Sequence, residues 1–123
     1  MAELALILPI FLILVFAIVD FGIGFHSYIT VTNSAREGAR LGAVGGTSAA
    51  IEQRVRDTAS TLDQADLTVT VTNAQGQPGQ SVVVDVDYQY DLITPLTGML
   101  SLVSGSAIGP TLGFTSTAEM RLE

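Results

Sequence analysis

Residues 4–19 read LALILPIFLILVFAIV, sixteen positions without one charged side chain. Past Asp20 the run resumes as FGIGF and ends at Phe25. A surface helix of a globular protein keeps one polar face. A helix apolar all round must be buried on every side or sit in lipid. The length suits lipid, because a hydrocarbon core of ~30 Å takes about 20 helical residues. Thirteen of the sixteen residues are Leu, Ile, Val or Phe. At roughly −0.3 to −0.6 kcal/mol each, insertion gains on the order of 6 kcal/mol, opposed by at most about 3 kcal/mol from Asp20. The segment 1–25 is therefore expected to be a membrane-entering helix.

A secretory signal peptide competes for such a run, but it needs a basic flank before it and a small-residue cleavage site after it. The chain opens Met-Ala-Glu and shows neither. Membrane chains ordinarily keep Lys or Arg on the cytoplasmic side. The missing basic flank points to a mature chain whose leader has been removed, or to a trimmed one. Pro9 deletes one helical hydrogen bond and should bend or loosen the helix. The result is either a passive kink or a hinge that lets the helix repack outside the bilayer. Glu3 is either stabilised by the positive helix N-terminus or pairs with a free N-terminal amine, its own or a neighbour's, inside an apolar assembly.

Charge divides the chain into three. Residues 1–35 carry only Glu3 and Asp20; residues 36–56 sum to +2 through four arginines; residues 57–123 sum to −7, eight acids against Arg121. An acidic pI near 4.3 argues against nucleic-acid binding, which needs a basic surface. The chain has no Lys, no Cys and one His. Disulfides, thiolate metal sites, Cys nucleophiles and Lys chemistry are thereby excluded.

From His26 the helix turns polar, HSYITVTNSAREGARLGAVGG. Two rows of small residues run through it at spacing four: Ala35, Ala39, Ala43 and Gly38, Gly42, Gly46. Each row occupies one helical face, and small residues there let backbones approach closely. The partner is either another subunit or this chain's own sheet. His26 reads as a polar residue just beyond the membrane segment, and Tyr28 suits the interface. Thr47 and Ser48 are candidate caps for further helix. Ile51, Val55, Ala59 and Leu62 share a face, so the helix either continues or restarts and ends near Leu62.

The remainder is a small β-rich head. Residues 67–72 (LTVTVT) and 81–90 (SVVVDVDYQY) alternate apolar and polar around a turn-rich loop, which is the pattern of a hairpin. Thr94-Pro95 has the chemistry of a helix start, with Thr94 as N-cap and Pro95 at the first helical position. Leu96, Met99, Leu100 and Val103 follow at helical spacing up to Gly105. Residues 112–122 alternate again as a third strand. Such a head is too small for an independent core without the amphipathic part of the helix. The expected fold is α+β: a long N-terminal α-helix with a small three-stranded antiparallel β-sheet head. Its segments are 1–25 (membrane or filament-core helix), 26–62 (amphipathic continuation) and 63–123 (head).

Asp85, Asp87 and Asp91 could coordinate calcium, but alternate carboxylates on a strand's outer face are ordinarily solvated. No paired acid and base and no nucleophile with its base can be placed. The expectation is no enzyme, no cofactor and no small-molecule substrate.

The opening AELALILPIFLILVFAIVDFG with NSAREGARLGA, the later VDVDYQYDLITPLTGML and the terminal STAEMR together closely resemble the TadE-like family of short pilins and pseudopilins. The resemblance implies a type IV pilin-like fold. It also implies a basic leader removed by a prepilin peptidase, and retention in the cytoplasmic membrane by the N-terminal helix. Extraction by the pilus assembly machinery would then pack the chain as a homo-oligomer into a tight-adherence pilus on the cell surface. Glu3 matches the family's near-terminal glutamate, which would neutralise a neighbouring subunit's N-terminus, and Pro9 matches its early proline. Glu3 lies a little nearer the start than the family's usual register. In a staggered array Asp20 could approach Arg36 or Arg40 of another subunit, since sixteen residues separate Asp20 from Arg36, roughly 24 Å of helix. The alternative is a minor pseudopilin, or a single-span membrane protein that primes or binds the pilus or secretion machine.

Overall fold

In the computed structural model, which describes residues 1–123, one helix, α1 (Ala2–Ala43), runs on through Pro9. It ends where its sequence stops supporting right-handed backbone. Gly45 takes φ +85°, its N–H donates to Gly42 O at 3.0 Å, and the Gly46 N–H donates to Leu41 O at 3.0 Å. This paired 5→2 and 6→1 closure is the Schellman ending of a helix, and it places glycine at the left-handed position. Residues 26–62 are thus helical in two pieces, not one continuous helix. The second, α2 (Ser48–Thr58), is N-capped by Thr47, whose Oγ1 accepts from Ala50 N at 3.2 Å. Three strands and a short helix follow: β1 (Leu67–Thr72), β2 (Ser81–Asp91), α3 (Leu96–Ser104) and β3 (Thr111–Arg121).

The sheet order is β1-β2-β3. β1 pairs antiparallel with β2 from Leu67 opposite Tyr88 to Thr72 opposite Val83. Hydroxyls of β3 donate across to carboxylates of β2, Thr115 to Asp87 and Thr117 to Asp85, each at 2.5 Å. The numbers rise on one strand as they fall on the other, so this pair is antiparallel too. A long apolar helix with a three-stranded antiparallel sheet is the α+β, type IV pilin-like arrangement that the sequence led us to expect.

The chain divides into two compact units. One joins Met1–His26 to Tyr90–Leu112; the other joins Ser27–Gln89 to Gly113–Glu123. The second holds most of the core. Val31, Ala35 and Ala39 of α1, Ile51 and Val55 of α2, Ala59 at its C-cap, and Val82, Val84 and Val86 of β2 are all fully buried. The even positions of β2 face inward, and the odd ones carry Asp85 and Asp87 outward, as the alternation of a half-buried strand requires. In the first unit, Asp20, Tyr90 and Leu96 are buried, and Leu92 N donates to Pro110 O at 2.8 Å.

Candidate assembly surface

The stem is uncovered. Across the most apolar eighteen residues of α1, only 6% is buried, and the helix is long and apolar enough to cross a membrane. Leu6, Ile10 and Ile18 are each at least 65% exposed. In water, each such side chain forgoes roughly 1.5–3 kcal/mol of burial. The exposed surface therefore fits lipid or a second apolar body. Glu3 lies in the first helical turn, exposed, and forms no salt bridge.

Within the stem only Asp20 and Gly24 are buried, and Asp20, the charged one of the two, is fully enclosed. Its Oδ1 accepts from the backbone N–H groups of Ile93 (3.2 Å) and Thr94 (3.4 Å). Its Oδ2 accepts from the Thr94 hydroxyl. Both oxygens are therefore satisfied within the chain, by a loop 73 and 74 residues away in sequence. A carboxylate in apolar surroundings is tolerable only with such donors. The arrangement changes the assignment of Thr94. The N-cap of α3 is Pro95, with no side-chain capping bond, and the Thr94 hydroxyl serves Asp20. Read from the sequence, Ile93 has no role and Thr94 only that of a helix cap. The available signal was the carboxylate itself, which, alone in an apolar run, requires donors from elsewhere.

The two small-residue rows face this chain's own core. Ala35 and Ala39 are fully buried, Gly38 and Gly42 are buried, and Ala43 is half-buried; Gly46 lies beyond the helix. A Cβ on Gly38 would stand 2.5 Å from Val55 Cγ2 and 3.3 Å from Val84 Cγ1. A Cβ on Gly42 would stand 2.8 Å from Val82 Cγ2. Close approach is thus required by α2 and β2, so of the two partners left open by spacing, the chain's own sheet and second helix take these rows. Arg36 and Arg40 point outward, exposed, and neither forms a salt bridge. The nearby pair Glu37–Arg54, at 3.5 Å and largely exposed, contributes at most about 1 kcal/mol. Tyr28 meets Phe114 edge to face, with ring centroids 6.1 Å apart.

The outer carboxylates of β2 act as acceptors for threonines. Asp85 and Asp87 take hydroxyls of β3 as above, and Asp91 accepts from Thr111 at 2.7 Å. No group of three or more His, Cys, Asp or Glu is placed to hold a metal ion.

The exposed stem and the neck after it are the part of the chain that compares with known proteins. Residues 1–40 match the family model described as TadE-like protein. Over this segment the chain is TadE-like. Neither a curated protein nor a solved structure matches significantly. The matched family belongs to the tight-adherence pilus system, and the matched residues lie in the helix that is long and apolar enough to cross a membrane. The match covers Glu3, Pro9, Asp20, Arg36, Gly38 and Arg40.

Proposed function

We propose that this TadE-like protein is a structural subunit of a tight-adherence, type IV-like pilus. It is held in the cytoplasmic membrane by α1 and then packed through the same helix into an extracellular filament. The observation that carries the reading is the stem: α1 presents an apolar surface long enough to span a bilayer, almost none of it is covered by the rest of the chain, and the family match falls on the same residues. Lipid satisfies this surface before assembly, and neighbouring stems satisfy it afterwards, so transfer between the two need not expose it to water. The role is assembly rather than catalysis, in partnership with a prepilin peptidase and the pilus assembly machinery. Glu3, unpaired within the chain, is available to a neighbour's N-terminal amine. The acidic head would give the filament a negative exterior.

The test is the composition of filaments sheared from cells. This chain should be their stoichiometric component, and Glu3→Ala should lower filament yield while membrane insertion persists. Recovery from membranes alone would support the minor-pseudopilin alternative. Filament yield unaffected by Glu3→Ala would remove the role given to that carboxylate.

A further inference from the structure

Residues 92–118 contain no charged side chain, 27 consecutive positions in a chain with 17 charged residues. C-terminal to α1, five large apolar side chains are exposed, and four of them lie in this stretch: Ile93, Leu102, Val103 and Ile108. Leu102 and Val103 are 86% and 76% exposed, while Leu96, on the same helix α3, is buried at 5%. α3 is therefore apolar both where it packs and where it faces outward. Grouped exposure of this kind marks an interaction surface.

Asp20 indicates what covers it. The apolar run from Leu4 to Phe25 extends about 33 Å as a helix, close to one hydrocarbon core. Asp20 lies five residues before Phe25, about 7 Å back from the level at which the run leaves the core. Ile93 and Thr94 are hydrogen-bonded to that carboxylate, within the same compact unit. The loop entering α3 is consequently held at the depth of Asp20, about 7 Å inside that level, in the outer acyl chains just beneath the headgroups. A charged residue on a segment at that depth is strongly disfavoured, whereas Thr94, Thr97 and Ser101 are tolerated. The uncharged composition follows.

We propose that Tyr90–Leu112 is a second membrane-contacting element. Tied down at Asp20, it lays Ile93, Leu102, Val103 and Ile108 into the headgroup–acyl boundary of the bilayer that α1 crosses. This is the position of an interfacial helix, supplied here by the head of a single-span protein. Asp20 is the anchor: it fixes the segment's depth and is itself kept satisfied inside an apolar stem. The inference rests on the membrane-held stage of the proposed function, not on filament formation.

The absence of Trp and Cys makes the test free of background. The full chain, carrying a single Trp, is reconstituted in phosphatidylcholine–phosphatidylglycerol vesicles at a lipid excess that keeps copies apart. The lipids are brominated at either a shallow or a deep acyl carbon. Leu14→Trp, in the stem, should be quenched best by the deep label. Leu102→Trp and, independently, Val103→Trp should emit to the blue and be quenched best by the shallow label. Thr68→Trp, on the exposed face of β1, should be quenched by neither. If both α3 probes behave like Thr68→Trp while Leu14→Trp is quenched, the stem spans and the second contact is refuted. Blue emission at α3 without lipid quenching would assign the face to a protein partner and equally refute the proposal. An unquenched Leu14→Trp would overturn the membrane reading and this inference with it.

Discussion

Gly38→Ala adds one methyl group at a tight contact between α1 and α2. Two effects oppose each other. Alanine in place of glycine inside a helix gains about 1 kcal/mol in propensity. Against that, the new Cβ would stand 2.5 Å from Val55 Cγ2, 3.3 Å from Val84 Cγ1 and 3.4 Å from Ile51 Cγ2. Valine in a helix has essentially one χ1 rotamer, so Val55 cannot swing aside. α1 must instead move away from α2, loosening a core in which Ile51, Val55 and Val84 are fully buried. Overpacking of this kind costs about 1–3 kcal/mol, so the net expectation is a loss of up to about 2 kcal/mol. At about 4–8 °C per kcal/mol for a unit of this size, the melting temperature should fall by several degrees, to roughly 15 °C at most. The assay is thermal unfolding of the full chain in detergent, followed by circular dichroism. Gly22→Ala is the control, since nothing lies within 4 Å of its added Cβ, and it should be neutral or slightly stabilising. Val55→Ala, combined with Gly38→Ala, should recover at least ~1 kcal/mol relative to the sum of the single changes, because the two side chains compete for one space. If Gly38→Ala is as stable as Gly22→Ala, or if the double variant is simply additive, close packing is not why glycine occupies position 38.

Two further substitutions probe the other local devices. Asp20→Ala removes the acceptor of two backbone N–H groups and a hydroxyl. It should cost about 1–3 kcal/mol, and deuterium exchange at Ile93 and Thr94 should accelerate about ten- to a hundredfold, tenfold for each ~1.4 kcal/mol. Thr47→Ala deletes the side-chain cap of α2 and should lower stability by about 1 kcal/mol, with Thr47→Gly losing only a few tenths; denaturant midpoints at constant slope measure both.

Much of this architecture was legible because local pattern governs it. Alternation placed β1 at residues 67–72, the observed Leu67–Thr72. It placed β2 and β3 within one residue of their ends, since a strand with one buried face must alternate. The Gly45-Gly46 pair marked the end of α1 because left-handed backbone favours glycine. The apolar spacing of Ile51 and Val55 marked the buried face of α2, and Ala59 continues it at the C-cap. Long-range partners were much less legible. Spacing four told which face of α1 was small, but the identity of its neighbour depended on where β2 and α2 were carried by the chain. Thr94 beside Pro95 has the local chemistry of a helix cap, and only the position of Asp20 diverts its hydroxyl.

By itself, the sequence determined that this chain has a stem of bilayer length, a polar neck and an acidic, strand-rich head. Hydrophobic length, periodicity and charge act along the chain and need no knowledge of what is opposite. Only the tertiary structure decided what each buried group meets. The glycine and alanine rows are occupied by the chain's own valines and Ile51, leaving the exposed stem as the surface offered to lipid or to other subunits. Asp20 is satisfied by Ile93 and Thr94 rather than left open, because a buried carboxylate must find donors wherever the fold brings them. Those donors come from a loop more than seventy residues away, a separation across which local sequence pattern carries no information.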